Sequence, residues 1–529
     1  YPIISSDVSV NSLTINSTAS LIVNSGFDLT VTNAIVNNGT LTIENNANLL
    51  QTTNDINTGS GSTIVQRNSS LLKRLDYTLW SSPVTGQGLY AFSKFTLPNR
   101  FYVYDTATDL YNNSVGFNLT GLQYPSPLVS PNGVDGTDNA NVQFTNGIGY
   151  LIRVPYNHPT SPTVYNGIFT GVANNGPISA TVSTALNGFN AVGNPYPSRL
   201  NVHNFIDGNT NITGPLYLWR KTNTTGVSTS YATLTKTAYV ANGSAGGDTG
   251  AGFFPTGGGQ EQNWVLNIGQ GFIVKATSGS TVSFTNSMRR SSNANQFFRN
   301  SQTTTSINNG LYWLNLIDNT GVYSQMAVGY SSEGTIADDR GIDGENINKE
   351  FYLTSLIGAG EYSIQGRPEF DPSDVVPLSY KALTSGNYSI AIDHVDGLFT
   401  NTNQAIYLKD KLTATEHNLQ TGAYNFTSVA GTFTNRFEII YQSQLSIENP
   451  TFNANQVIVY KNELNDFVIN AGTTIMASVK VFDIRGRLLL ERNNINASQT
   501  TMTVGMANEV LLVQITSEDG VVVSKKVVK

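Results

Sequence analysis

The chain has 529 residues, a net charge of −7 and only 12% charged residues. That leaves no basic field to hold a phosphate backbone, which excludes nucleic acid as a partner. Cysteine is absent, which excludes thiol catalysis, zinc–thiolate sites and iron–sulfur clusters. No run of about 18 apolar residues occurs, so no membrane-spanning helix is expected. Asn, Thr, Ser and Gly stand where charge would usually be, a composition suited to turns and exposed strand faces. The abundant Tyr and Phe suit strands. Together these predict an all-β chain of three or four domains at roughly 100–200 residues each. Tyr1 reads as a processed beginning, so export is expected.

In residues 1–62, apolar pairs recur two positions apart: Leu13/Ile15, Leu21/Val23, Leu29/Val31 and Leu41/Ile43, closed by Leu49. Leu21 to Leu41 and Leu29 to Leu49 are the same distance, and each pair is followed by Asn, Ser or Gly. Short strands repeated at this period predict rungs of a parallel β-solenoid. Residues 63–305 read as a β-sandwich region. It contains two similar segments, GIGYLIRVP at 147–155 and GQGFIVKAT at 269–277, which predict an internal duplication. Between them GFNAVGNPYPSRL at 188–200 carries Asn-Pro and Tyr-Pro turns. One helical turn is expected within 199–208, and the glycine-rich stretch 241–260 reads as a linker-like insertion.

Residues 306–445 predict a second sandwich or jelly roll of eight short strands. Residues 446–529 predict a small Ig-like β-sandwich of seven strands, with hairpin turns at Arg485-Gly486 and Glu518-Asp519-Gly520, where glycine supplies a positive φ.

Candidate chemistry is sparse. His158, His203, His394 and His417 are not at metal-ligand spacing, and no Gly-x-Ser-x-Gly elbow occurs. Asp393 and Asp396 flank His394 in IDHVDG. Such a carboxylate pair could serve acid–base chemistry, or be a turn binding its own backbone. The densest acidic stretch, ADDRGIDGENINKE at 337–350, has a calcium-loop spacing if Asp339 is its first position. Its oxygen donors would be Asp339, Asp343, Glu345 and Glu350, although Gly341 and Ile347 occupy two positions where the loop needs side-chain oxygens. Trp80, Trp219, Trp264 and Trp313 read mainly as core, with Trp219 and Trp264 the better candidates for an exposed sugar platform. Asn-x-Ser/Thr triplets, for example at Asn16, Asn118 and Asn223, follow from the composition. Asp105-Thr106-Ala107 resembles an O-glycosylation pattern of Bacteroidetes-type exported proteins.

The last stretch resembles a known family. Pro450, VKVFDIRGRLLLE at 479–491, ANEVLLVQI at 507–515 and the terminal strand GVVVSKKVVK at 520–529 look like the type A C-terminal sorting domain of type 9 secretion system cargo. ANEVLLVQI departs from the commoner glycine–tyrosine version of that strand, which leaves the sub-type open. The resemblance implies that Phe482, Asp483, Gly486, Arg487, Gly520, Lys525, Lys526, Val528 and Lys529 form the sorting signal. The implied partners are the outer-membrane type 9 translocon, its barrel shuttle protein and a sortase-like peptidase. Within 63–441, WSSPVTGQGL, GFNAVGNPYPS, GQGFIVKA, NSMRR, QFFR, SIQGRP, HVDGLF and IYLKD resemble a Flavobacteria-type surface-protein architecture to which no activity is attached. The expected protein is exported across the outer membrane to the cell surface or medium. It is non-enzymatic and adhesin-like, connected with gliding motility, and needs no cofactor beyond the calcium considered above. A glycan-binding or polysaccharide-degrading β-sandwich, with surface glycans as partner, is the alternative.

Overall fold

The structure is a computed structural model that describes residues 1–113, 142–220, 231–241, 260–291, 310–400, 404–443, 456–505 and 510–528, with single positions at 254, 256, 452 and 454. Asn118, Asn223, most of the 241–260 stretch, QFFR at 296–299, Pro450 and Lys529 lie outside the described residues. What is described is nearly all β. It falls into two compact units, 1–442 and 443–529.

The first unit opens with a parallel three-faced coil. Ser20–Val23 lies on Thr40–Ile43 with Leu21 opposite Leu41, and Asp28–Val31 lies on Asn48–Gln51 with Leu29 opposite Leu49. The 20-residue spacing in the sequence is therefore one turn of a solenoid. A third face stacks Leu13–Ile15 on Ile35–Asn37. The alternating apolar residues point inward, and Val23, Leu41, Ile43 and Leu49 are fully buried. Polar residues stack as well: Asn48 Nδ2 donates to Asp28 Oδ1 at 2.8 Å, and the Asp28 backbone N–H donates to Asp7 Oδ1 at 3.0 Å.

At two places in the coil only glycine fits. A Cβ on Gly39 would meet the Ala19 carbonyl oxygen at 2.2 Å, and one on Gly61 would meet the Gly39 oxygen at 2.1 Å. Gly39→Ala is expected to cost about 1–3 kcal/mol, because backbone has to shift to admit the methyl group. Tryptophan fluorescence during denaturation measures this cleanly, since Trp80, Trp219, Trp264 and Trp313 all belong to the 1–442 unit.

The sheet does not break at residue 62. The strand Ser62–Leu72 pairs in parallel with Thr40–Ile43 on one side and antiparallel with Thr163–Ala173 on the other. The change at this point is from parallel to antiparallel pairing within one sheet.

The two similar segments occupy equivalent places. Tyr150–Arg153 pairs with Tyr77–Trp80, placing Leu79 opposite Leu151. Gly271–Lys275 pairs with Phe189–Gly193, placing Ala191 opposite Ile273. Each Gly-x-Gly then crosses to the other repeat. The Ser81 N–H donates to the Gly269 carbonyl at 2.9 Å, and the Gly193 N–H donates to the Gly147 carbonyl at 2.9 Å. Gly147 and Gly269 have φ of 78° and 70°, a conformation that favours glycine. Asn174 bridges both repeats: its N–H donates to the Pro83 carbonyl and its Nδ2 to the Pro195 carbonyl. The expected helical turn is Val202–Gly208, capped by Asn201, whose side chain accepts from the Asn204 N–H.

Residues 310–441 form one long sheet that curls back on itself, twelve-stranded among the described residues. Four strands there went unanticipated: Gly344–Glu345, Val375–Ala382, Thr415–Asn418 and Gly431–Phe433. Tyr323–Tyr330 and Gly360–Arg367 run parallel, whereas the rest of the sheet is antiparallel. The core is Leu314, Leu316, Val328, Leu353, Leu378, Ile390, Leu408 and Ile439. It carries a buried hydroxyl chain in which Tyr330 donates to Tyr441 at 2.5 Å, and Tyr441 lies 2.9 Å from Tyr312.

In the second unit, Ile458–Lys461, Phe467–Asn470 and Gln499–Met502 form one sheet. Leu488–Ala497, Met476–Asp483, Val510–Ser517 and Val522–Val528 form the other, in that spatial order. Alternating residues Val479, Val481, Leu511, Val513 and Ile515 fill the space between, giving the two-layer packing expected of alternating strands.

Candidate functional site

The most distinctive surface of the second unit is one end of its four-stranded sheet. Strand alternation sends Phe482, Leu488 and Leu512 to the outer face, and the registers set Phe482 opposite both Leu488 and Leu512. Lys526 stands opposite Leu512, and Val528 opposite Val510. Leu488, Leu512 and Val528 are 45%, 41% and 71% exposed, and Ile484 in the adjacent turn is 75% exposed. Among the described residues Val522–Val528 pairs on one side only, so it is an edge strand with a free row of backbone groups.

Asp483 builds the turn that closes this end. Its Oδ1 accepts from the N–H groups of Arg485 and Arg487, each at 2.9 Å, and its Oδ2 accepts from Arg487 Nε at 3.0 Å. The Arg487 N–H, then the Arg485 N–H and the Arg487 side chain, hold the Asp483 carboxyl below the usual carboxylate range. Gly486 supplies the turn with φ 82°.

The expected sorting residues therefore separate. Phe482, Asp483, Gly486, Arg487, Lys526 and Val528 share one end of the sheet. Gly520, with φ 85°, is in the turn at the other end. Lys525 does not supply free charge at the edge. It lies on the inward row, and its Nζ donates to the carbonyls of Ala454, at 2.9 Å, and Val457. Lys529 lies outside the described residues.

The acidic loop 337–350 is a clasp. Asp339 accepts from the Thr335 N–H at 2.5 Å. Asp343 accepts from the N–H groups of Asp339 at 2.6 Å and Gly366 at 2.7 Å. Glu345 pairs with Lys275 at 2.5 Å, and Glu350 is exposed. The four carboxylates expected to hold calcium are thus committed to separate partners or directions. Among the described residues no three acidic or imidazole side chains are grouped to hold a metal ion. Between the carboxylates Arg340 reaches the last carbonyls of Val202–Gly208: its Nη2 donates to Ile206 O at 2.5 Å and Asn209 O at 2.6 Å. That is the place where a cation complements a helix end.

Burial pushes the Asp343 carboxyl up to about 7, against the two N–H groups it accepts from. The folded chain then binds a proton that the unfolded chain has already lost between about pH 4 and 7, so this group's contribution falls as pH rises through that window. Asp343→Asn should remove that part of the slope, visible as a smaller difference between melting temperatures at pH 4.5 and pH 8.

The remaining candidates resolve individually. Asp393 is the extra residue of a β-bulge in Gly386–Gly397, where the pairing jumps from His394 opposite Trp313 to Ile392 opposite Leu314. The IDHVDG carboxylates therefore sit on a bulged strand rather than in a loop. Asp393 Oδ2 is 2.6 Å from His394 Nδ1, its Oδ1 accepts from Asn315 Nδ2 at 3.0 Å, and the His394 ring stacks on Trp313 at 3.8 Å. The His394 hydrogen bond is the main influence holding Asp393 below its ordinary range. His158 Nε2 lies between the Leu72 and Thr163 carbonyls, and His417 Nε2 contacts the Gly422 carbonyl. His203 packs edge-on to Trp264.

Trp264 is fully buried, which removes it as a sugar platform. Trp219 is half-buried between Tyr111 and Tyr231, with Nε1 donating to the Tyr77 carbonyl at 3.0 Å. The Thr106 hydroxyl is buried and donates to Asn190 Oδ1 at 2.9 Å, so it is not presented for sugar attachment.

No curated protein matches the chain. Among solved structures it is similar to "Central Fibronectin-III array of RIM-binding protein" at 9% identity, over 44% of this chain and 96% of that one, with a TM-score of 0.13. A score that low has no bearing on the fold. Residues 445–529 match the family described as "Domain of unknown function (DUF8694)". Over residues 1–441 the chain matches, and belongs to, the family described as "Domain of unknown function (DUF8693)".

Proposed function

We propose that the protein is a non-enzymatic, adhesin-like surface protein exported across the outer membrane by the type 9 secretion system. In this reading the 443–529 unit is its address, and gliding motility is the process it serves. The observation that supports this is the end of the terminal sheet. An apolar row of half-buried Phe482 with exposed Leu488 and Leu512 is bordered by Arg487 and Lys526, and the free edge of Val522–Val528 lies beside it. A partner can add a strand to such an edge and cover the apolar row, with the basic side chains fixing register. The passenger plays no part in that recognition. The outer-membrane translocon, the barrel shuttle protein and a sortase-like peptidase are the partners this address would meet in turn.

The decisive experiment is secretion of the full chain carrying Leu512→Asp with Val528→Asp. Both side chains are exposed, so the fold should survive. The chain is expected to remain cell-associated while the unmodified one reaches the surface. Deleting residues 520–529 should have the same effect. Unchanged secretion of both variants would overturn the proposal.

A further inference from the structure

We propose that the seam where the curled sheet of residues 310–441 meets itself binds a neutral oligosaccharide. The two outermost strands of that sheet, Thr415–Asn418 and Tyr424–Ser428, come together at the seam: the rings of His417 and Tyr424 lie 5.6 Å apart, and the Tyr424 hydroxyl donates to Asp410 Oδ2 at 3.1 Å. Beside this closure is an open groove of about 640 Å³, within the range of ligand clefts.

The chemistry of its wall selects the ligand. Asn387 stands opposite Thr427 and Ser389 opposite Asn425 across the paired strands, and Asn319 adds a further amide. Among the described residues none of these five side chains has a hydrogen-bond partner. Amides and hydroxyls both donate and accept, which is what a row of sugar hydroxyls requires. Ile317, opposite Ser389 on the neighbouring strand and half-buried, adds an apolar side chain to the same face, and such a patch suits the apolar face of a pyranose.

The cation in the wall is already paired, and the carboxylate is tied to its own turn. Asp318 Oδ1 accepts from the N–H groups of Thr320 and Val322 and from the Thr320 hydroxyl. Arg436 donates from Nη2 to Asp410 Oδ2 at 2.9 Å and from Nη1 to the Thr427 carbonyl at 2.8 Å. An acidic ligand would meet no unpaired cation among the lining residues, whereas an uncharged polyol would meet five free polar groups. This inference stands apart from the export reading, because the groove belongs to the 1–442 unit.

The test is calorimetric titration of the full chain with laminarihexaose, cellohexaose, maltohexaose and mannohexaose. At least one should bind, and Asn387→Ala with Asn425→Ala should weaken it at least about tenfold, or 1.4 kcal/mol, with the tryptophan-monitored denaturation midpoint unchanged. Thr427→Val provides a second, milder probe and should weaken binding in the same direction. The proposal is overturned if none of the four sugars binds, if both variants bind at full strength, or if hexagalacturonate binds as tightly as the best neutral sugar. Secretion assays are untouched by any of these outcomes.

Discussion

Arg289→Ala is expected to destabilise the 1–442 unit by about 3–5 kcal/mol, the sum of several charged hydrogen bonds lost and several buried acceptors left unmatched. The guanidinium is buried and its acceptors are neutral. Nε donates to Ser198 Oγ at 2.9 Å, Nη1 to Asn175 Oδ1 at 2.9 Å and Asn286 Oδ1 at 3.0 Å, and Nη2 to the Leu49 carbonyl at 2.6 Å. The group also lies 4.7 Å from the centre of the Tyr196 ring, a cation–π contact. Burial pushes it down to about 10, with Tyr196 opposing, so it stays charged at neutral pH. One side chain thus fastens the solenoid, through Leu49, to the GNPYPS turn and to the NSMRR segment. Arg289→Lys should recover little, because an ammonium cannot reproduce the planar fork. A guanidinium titration followed by tryptophan fluorescence measures both. A midpoint close to the unmodified chain's for Arg289→Ala would mean the solenoid is held by packing and by bonds such as Leu49 N–H to the Pro197 carbonyl, without need of this side chain.

Asp410→Ala should be nearly as damaging, at about 3–5 kcal/mol, because it leaves a mostly buried guanidinium without its counter-charge. Asp410 is fully buried, and Arg436 lies between the rings of Phe426 and Phe437, 4.8 Å from each. Asp410 also accepts from the Leu412 N–H at 2.9 Å. Burial favours its neutral form, but Arg436, the Leu412 N–H and Tyr424 outweigh it and hold the carboxyl below its ordinary range. The pair therefore contributes in full above about pH 4, the ordinary carboxylate value, and its contribution is lost as pH falls through the lowered one. The double variant Asp410→Leu with Arg436→Met should be less destabilised than Asp410→Ala, since no unpaired charge remains. Equal losses in the two variants would show that packing, not the buried charge, sets the cost.

Repetition and alternation were legible because they are properties of sequence spacing. The 20-residue period became the solenoid register, and seven alternating segments became the seven strands of the terminal unit. Gly486 and Gly520 adopt the positive φ their turns demand. What was not legible depends on distant neighbours. Pro377 argues against a paired strand at Val375–Ala382, yet that strand pairs on both sides, Pro377 itself standing opposite Glu438. Trp264 sits beside polar sequence but is covered by Phe254 and His203. The Asn and Ser residues expected at turns and exposed faces are in several places interior. Asn194, Asn201 and Asn209 are buried and donate to backbone carbonyls, a use composition cannot separate from exposure. Lys525 fits an exposed alternating strand until the carbonyls of Ala454 and Val457 turn it inward. The groove at the sheet seam required knowing that Thr415–Asn418 and Tyr424–Ser428, consecutive in the chain, take opposite ends of the strand order and so close the sheet.

The crossing Gly-x-Gly turns carry one more implication. The Ser81-to-Gly269 and Gly193-to-Gly147 bonds are the same bond made twice in opposite senses, which is the pattern of contacts across a two-fold axis between identical subunits. On separate chains such halves would have to find each other by diffusion. On one chain they meet at a high effective concentration fixed by the intervening polypeptide. The region around residues 77–275 is thus arranged like a tethered dimer, and fragments split between the repeats should associate when mixed.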